Sequence, residues 1–145
     1  MQIQSLFRMK YFSALFFVLA IACAPSRKLP SEKNLDGNWT LAVFPYQKKT
    51  LAEVFGSRVV ELRFSKDSSA VTGTTGCNRF RGTYTADAEN LTISPNLILT
   101  KMACTDYDER LFLNALNRVT KYRQIEGQLE LMHNNEIVMI FAKAL

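Results

Sequence analysis

Residues 73–84 of this chain read GTTGCNRFRGTY, with glycine at positions 73, 76 and 82. Glycine and asparagine favour tight turns, so the sequence Gly76-Cys77-Asn78 predicts a sharp corner between two strands. A second cysteine, Cys104, ends the segment TKMAC at residues 100–104. We expect the rest of the domain to be arranged around these two segments.

Apolar and polar residues alternate near this corner, which predicts strands with one buried face. In the clearest example Val60, Leu62 and Phe64 share one face, while Glu61 and Arg63 share the other. Turn residues between the later segments predict hairpins, and hairpin connections make a sheet antiparallel. The further strands are predicted at 70–74, 80–85, 91–93, 97–100, 121–126, 128–133 and 137–141.

The first strand of the domain is predicted to bury Trp39, Leu41 and Val43 on one face, because they recur at every second position. Pro45 ends this strand, since proline cannot donate a hydrogen bond to a ladder. The following residues, 46–57, fit either a loop or a single helical turn.

One amphipathic helix is predicted after Cys104. Thr105 and Asp106 are candidate N-caps, and Asp108 and Glu109 would place negative charge where the helix dipole favours it. Its apolar residues recur at helical spacing and form a single stripe. The stripe consists of Leu111, Phe112, Ala115, Leu116 and Val119.

The helix is predicted to end in a basic turn with Arg118 and Lys121, because positive charge near the C-terminal end of a helix interacts favourably with the helix dipole. A lone apolar stripe must be buried against another element, and the sheet is the surface available. We therefore expect an α+β fold in which an antiparallel sheet curls as a partly open barrel around one amphipathic helix. The chain of 145 residues supports one such domain, at 34–145.

The first 22 residues have the pattern of an export signal. Arg8 and Lys10 precede an apolar run of about 12 residues at 11–22. A helix that spans a bilayer needs about 20 apolar residues, so this run predicts a signal peptide at 1–22. A plain secretory signal and a single short membrane helix are the alternatives.

The signal run ends in LAIAC at residues 19–23, which resembles a bacterial lipobox. This resemblance implies cleavage before Cys23 and attachment of acyl chains such as palmitate to that cysteine, which holds a protein on a bilayer. Residues 23–33 then form a flexible tether. We expect a monomer that is lipid-anchored in the bacterial cell envelope, at the outer membrane and facing the periplasm.

Cys77 and Cys104 remain as an even pair in an exported protein, which predicts a disulfide. Such a bridge would close a loop of about 28 residues and stabilise the domain by about 3.5 kcal/mol. Two alternatives stay open. One is a redox-active pair, although the Cys-x-x-Cys spacing is missing, and the other is two buried free thiols.

The remaining charged residues do not form a recognisable catalytic, metal-binding or nucleic-acid-binding set. The formal net charge is +5 and the cations are scattered, so nucleic acid is not an expected partner. His133 is the only histidine, so zinc sites and Ser-His-Asp or Cys-His arrangements lack partners. We expect no enzyme activity, catalytic residue, metal or cofactor.

Taken together, these motifs resemble the META domain family, which includes HslJ-like heat-shock lipoproteins. The resemblance rests on the Gly-Cys-Asn corner at 76–78, the Met-Ala-Cys segment at 102–104 and the helix that opens at Glu109. It spans about residues 34–143 and implies an architectural role for the motif. These architectural residues are Trp39, Gly73, Gly76, Asn78, Phe80, Gly82 and Met102, with Cys77 and Cys104 as a covalent link.

The family resemblance implies a non-enzymatic envelope lipoprotein connected with stress or antibiotic tolerance. The fold it implies is also similar to that of pilotins, so one alternative is a module that binds an apolar ligand or a partner peptide. A continuous apolar cavity between helix and sheet would favour that alternative. Another alternative is a protease-inhibitor-like interaction protein that uses an exposed loop at 46–57.

Overall fold

The computed structural model describes residues 34–144, which form nine strands and two α-helices. The predicted signal peptide, Cys23 and the tether lie outside the described residues. The helices are α1 (Leu51–Phe55) and α2 (Arg110–Asn117), and a short 3-10 turn covers Tyr46–Lys48. The strands are β1 (Gly37–Val43), β2 (Glu61–Ser65), β3 (Ala70–Thr74), β4 (Arg79–Asp87), β5 (Asn90–Ile93), β6 (Ile98–Leu99), β7 (Lys121–Ile125), β8 (Gln128–His133) and β9 (Glu136–Lys143).

The strands form one antiparallel sheet that curls into a ring. Their order is β3-β2-β1-β9-β8-β7-β5-β4-β6, and a further pairing brings β3 beside β4. The strand pairing is shortest at one place in the ring, where β5 and β7 share a single residue pair, Asn90 with Lys121. The predicted α+β fold, with an antiparallel sheet curled as a partly open barrel, is confirmed.

Helix α2 packs its apolar side against the inner face of the sheet. Phe112, Ala115 and Leu116 are fully buried. The ring centroid of Phe112 lies 6.0 Å from that of Phe80 in β4 and 6.3 Å from that of Phe55 in α1. These separations are typical of favourable aromatic pairs, so aromatic side chains fill the space between α2 and the strands.

A β-bulge in β1 changes which residue at the end of this strand is buried. The pairing of β1 with β9 shifts its register between Leu41 and Val43. Trp39 and Leu41 are buried, but Val43 is 44% exposed and Phe44 only 1% exposed. The prediction that Val43 shares the buried face is wrong, because the extra residue of a bulge reverses the alternation that follows it.

Helix α2 begins at Arg110, later than the sequence predicted. Glu109 is at its N-cap position, no side chain caps it, and its first turn contains no acidic residue. The predicted capping by Thr105 or Asp106 is therefore wrong. The physical reason is that the Glu109 carboxylate binds a distant segment of the chain, while Asp108 forms an ion pair with Arg110 at 2.8 Å.

The C-terminal end of α2 also differs from the prediction. The helix ends at Asn117, Arg118 is its C-cap residue, and Lys121 begins β7, so the last turn contains no cation. The Arg118 guanidinium instead lies over the ring of Tyr46, 5.9 Å from its centroid. This contact connects the end of α2 to the 3-10 turn after β1.

The segment that the sequence left between a loop and a helical turn contains α1. The Glu53 N–H donates to Oγ1 of Thr50 at 3.3 Å, and the Thr50 N–H donates to the Glu53 carboxylate at 2.7 Å, which is a capping box. Hydrogen bonds from Thr50 lower the pKa of Glu53 below its ordinary value. Val54 and Phe55 are buried, so α1 is part of the core packing.

Candidate functional site

Four polar side chains gather beneath the corner between β3 and β4, and we call them the corner cluster: Thr75, Asn78, Tyr107 and Glu109. Thr75 is 0% exposed and Asn78 is 1% exposed. The Thr75 N–H donates to the Asn78 carbonyl at 2.8 Å, and the Asn78 N–H donates to Oγ1 of Thr75 at 2.9 Å. These two reciprocal hydrogen bonds close the corner on itself.

The side-chain amide of Asn78 connects the corner to the segment after β6. Its Oδ1 accepts hydrogen bonds from Oγ1 of Thr100 at 2.7 Å and from the Met102 N–H at 2.8 Å. Its Nδ2 lies 3.3 Å from the Met102 carbonyl and 3.2 Å from Sγ of Cys104. Buried polar groups are costly without partners, and Asn78 supplies partners for a segment that belongs to no strand.

The Glu109 carboxylate completes the cluster from the start of α2. It accepts from Nδ2 of Asn78 at 3.1 Å and from Oγ1 of Thr75 at 2.9 Å. The Tyr107 hydroxyl donates to the Thr75 carbonyl. Burial, and then the nearby negative charge of Glu109, raise the pKa of Tyr107, so that its hydroxyl stays protonated and remains a donor.

Cys77 and Cys104 are joined by a disulfide in the structure. The bridge lies beside the corner cluster, since Asn78 follows Cys77 and its Nδ2 contacts Sγ of Cys104. Both cysteines are half-buried against the hydrophobic core. The disulfide and the amide of Asn78 therefore fasten the same two segments, one covalently and one by hydrogen bonds.

Two glycines of the motif lie where a side chain would collide with neighbouring atoms. A Cβ added at Gly73 would lie 2.1 Å from the carbonyl oxygen of Glu61 and 2.7 Å from Cζ of Phe80. A Cβ added at Gly82 would lie 2.5 Å from Cδ2 of Leu97. The spacing of these glycines along β3 and β4 therefore follows from close packing.

Gly76 is required for a different reason, which is its backbone conformation. Its φ of +92° lies in a region that residues with a side chain rarely adopt. A Cβ at this position would also come within 3.1 Å of Cβ of Arg58. Arg58 in turn donates to the Thr105 carbonyl at 3.0 Å and lies over the ring of Tyr107, so this one side chain contacts both the corner and the segment before α2.

The other predicted motif residues are distributed between core and surface. Trp39 and Phe80 are buried, and the Trp39 indole N–H donates to the Leu35 carbonyl at 2.9 Å. The Met102 side chain is 64% exposed, so this residue contributes to the cluster through its backbone N–H and carbonyl. Cys23 lies outside the described residues.

Sequence reasoning missed three members of the corner cluster: Thr75, Tyr107 and Glu109. Thr75 lies within the quoted segment but has no predicted role, and the local pattern predicts Glu109 only as an acid of the first helical turn. The available signal is that Thr75 directly precedes Gly76 of the corner and Glu109 directly precedes the apolar stripe of the helix. A polar residue in such a setting is typically the partner of another buried polar group.

The groups of the corner cluster are directed at one another and at backbone atoms, which is the arrangement of a structural joint. Among residues 34–144, no group of three or more His, Cys, Asp or Glu side chains could hold a metal ion. Within the same range, no helix is long and apolar enough to cross a membrane.

The corner, the disulfide and α2 all fall within residues 33–144, the range over which the chain matches the family model described as META domain. The chain belongs to the META domain family. The resemblance read from the Gly-Cys-Asn and Met-Ala-Cys segments is thereby confirmed. No curated protein matches the chain.

Solved structures share the fold of this META domain. An NMR structure of a protein from Burkholderia xenovorans is similar with a TM-score of 0.60 and 24% identity, and the match covers 76% of this chain and 83% of that one. A crystal structure of a DUF4847 family protein from Bacteroides vulgatus ATCC 8482 is similar with a TM-score of 0.54 and 17% identity, over 74% and 92% of the two chains. At these identities the likeness concerns the fold alone.

Proposed function

We propose that this META-domain protein is a non-enzymatic lipoprotein of the bacterial cell envelope. The observation that carries the proposal is the leader, in which basic residues and a short apolar run end at Ala22 and Cys23. The run is too short for a membrane-spanning helix, and a small residue before the cysteine suits cleavage by a signal peptidase. Acyl chains on Cys23 would then hold the domain on the bilayer.

The proposed location is the outer membrane, with the domain facing the periplasm as a monomer. The disulfide between Cys77 and Cys104 supports an oxidising compartment, because such bonds persist in the periplasm and are rare in the cytosol. A connection with stress or antibiotic tolerance comes from the family resemblance and is part of the same proposal.

The non-enzymatic part of the proposal is supported by how the polar groups are used. The corner cluster directs its carboxylate, amide and hydroxyls inward, to partners within the domain. His133, the only histidine, lies with Nδ1 2.8 Å from the Arg118 carbonyl. Acid–base or nucleophilic catalysis needs a positioned group that can reach a substrate, and these groups are already paired.

The two alternative functions have less support than the leading one. A pilotin-like module would bind its apolar ligand in a cavity between helix and sheet, where Phe55, Phe80 and Phe112 pack together. A protease-inhibitor-like protein would present residues 46–57 as an exposed loop, and part of that segment is α1 with two buried side chains.

The experiment that tests the proposal is metabolic labelling of the expressed protein with an alkyne-bearing fatty acid. We expect label on the wild-type chain and none on the Cys23→Ser variant. The matched control, a Cys77→Ser/Cys104→Ser double variant, should keep the label, because its altered cysteines lie in the folded domain. An unlabelled wild-type chain, or label that survives Cys23→Ser, would contradict the lipid anchor.

A further inference from the structure

The outer face of the sheet carries arginines that are aligned from strand to strand. Arg63 of β2 pairs with Thr72 of β3, and Thr72 pairs with Arg81 of β4. Ile98 of β6 is the next partner in this row. Arg79 lies two residues before Arg81 and therefore on the same face. Directly paired residues have Cβ atoms about 5 Å apart, so the three guanidinium groups share one small area of surface.

We call this surface the arginine face, and it comprises Arg63, Arg79, Arg81 and Ile98. All four side chains are exposed, Ile98 at 60%. Within residues 34–144 the ion pairs are Arg110 with Asp108 and Arg123 with Glu130, so none of the three arginines has a carboxylate partner. Glu61 lies on the same face and offsets one of the three positive charges.

A groove of about 550 Å³ runs along this face. Arg63 and Arg79 line it together with the hydroxyl-bearing Thr72 and Thr74, and with Glu61. Guanidinium groups present N–H donors in a geometry that matches phosphate oxygens, and hydroxyls add further donors. The groove therefore has the chemistry to accept phosphate groups that are presented on a surface.

We propose that the arginine face docks on the anionic phospholipid headgroups of the membrane and thereby orients the domain. This inference rests on the proposed lipid anchor. Residues 24–33 could span at most about 35 Å, so an anchored domain would always lie within reach of the bilayer surface. Arg63, Arg79 and Arg81 would meet the headgroup phosphates, while Ile98 would enter the interfacial layer beside them.

The charge of the face, more than its apolar area, would set the strength of docking. Each arginine near an anionic bilayer strengthens binding by about fivefold, so the two net positive charges that remain after Glu61 raise the ratio of docked to undocked domain about 25-fold. The effect is electrostatic, so salt at about 1 M, where the screening length falls to about 3 Å, should abolish it.

The test uses the full chain reconstituted into vesicles of phosphatidylcholine alone, or of phosphatidylcholine with phosphatidylglycerol. Hydrogen exchange is then measured in β2, β3, β4 and β6. We expect slower exchange in these strands only in the vesicles with phosphatidylglycerol, and loss of that protection in an Arg63→Gln/Arg79→Gln/Arg81→Gln variant. A Lys48→Gln/Lys49→Gln/Lys121→Gln variant removes the same charge elsewhere and should stay protected. Thermal unfolding of both variants verifies that they fold.

The outcomes separate this inference from the lipid anchor. A chain that fails to float with phosphatidylcholine vesicles lacks the anchor, whatever its arginine face does. A chain that floats but shows equal exchange in both kinds of vesicle would overturn the docking proposal. Protection by inorganic phosphate in phosphatidylcholine vesicles would also overturn it, because the groove would then bind a soluble anion. Equal loss of protection in the lysine variant would overturn it as well, because the net charge of the chain, and not the arginine face, would then explain the binding.

Discussion

The side-chain nitrogen of Asn78 lies 3.1 Å from one carboxylate oxygen of Glu109 and 3.2 Å from the other. Through this contact the corner after β3 meets the residue that precedes α2. The opposite end of the same amide binds the N–H of Met102 at 2.8 Å. Three segments that are distant in sequence therefore converge on one side chain, and removing it should loosen all three.

Replacing Asn78 with alanine should lower the free energy of unfolding by about 3 kcal/mol, because part-buried donors and acceptors at Thr100, Met102 and Glu109 lose their side-chain partner. Urea unfolding followed by circular dichroism measures this change. Asn96→Ala is the matched control, since Asn96 is exposed, and it should change the free energy by less than about 0.5 kcal/mol. Equal effects of the two substitutions would refute a structural role for the Asn78 amide.

The disulfide should contribute mainly by restricting the unfolded chain. Cys77 and Cys104 are 27 positions apart, and a loop of that size corresponds to about 3.5 kcal/mol. Reduction, or a Cys77→Ala/Cys104→Ala double variant, should lower the free energy of unfolding by about that amount. Thiol labelling of the unfolded, unreduced protein should leave both cysteines unmodified. Labelling of both would show that the bridge does not form in the cell.

Gly73→Ala should be severely destabilising although Gly73 has an ordinary backbone conformation. The added carbon would lie 2.1 Å from the Glu61 carbonyl, which requires movement of a strand and should cost at least about 3 kcal/mol. Gly127→Ala provides the comparison, because nothing lies within 4 Å of the added carbon and only its φ of +79° is unfavourable. That substitution should cost about 1 kcal/mol. The melting temperature should therefore be lower for Gly73→Ala than for Gly127→Ala, and the opposite order would contradict the close packing at Gly73.

Tyr107 should make the domain sensitive to alkali. Burial raises its pKa in the folded state, whereas in the unfolded chain tyrosine ionises near about pH 10. The contribution of Tyr107 to the free energy of unfolding is therefore complete below about pH 10. It is lost as the pH rises above that value, since only the unfolded state then releases the proton. Urea unfolding between about pH 9 and about pH 11 should show a shallower decline for Tyr107→Phe. Parallel declines for the two proteins would mean that Tyr107 ionises freely in the fold.

The bulge in β1 predicts opposite responses for two neighbouring residues. Phe44 is 1% exposed and Val43 is 44% exposed. Phe44→Ala should therefore cost about 3–5 kcal/mol of unfolding free energy, while Val43→Ala should stay within about 0.5 kcal/mol. If Val43→Ala proved the more damaging of the two, the strand would keep regular alternation.

The parts of the fold that were predictable from sequence are those decided by neighbouring residues. The apolar stripe of α2 and the alternation along β2 appear directly in the residue order. A hairpin between the strands at 121–126 and 128–133 is also predicted, and Glu126 and Gly127 at its turn both have positive φ, 50° and 79°. This is the conformation that the favoured two-residue turn requires.

The parts that were not predictable depend on contacts between distant segments. Glu109 has the local pattern of a first-turn acid, but its carboxylate binds Thr75 and Asn78, more than 30 positions earlier. The bulge after Leu41 likewise arises from pairing with β9, at the other end of the domain. In both cases a local propensity was overridden by a partner that the residue order does not identify.

The ring of strands has one join, between β5 and β7, that consists of a single residue pair. Every other neighbouring pair in the ring is held by a longer ladder, so separation at this join would leave the remaining pairings in place. The pairing of β5 with β7 is thus the weakest strand contact in the ring. Under tension or heat the domain would open along this seam into a curved ribbon before any strand is lost.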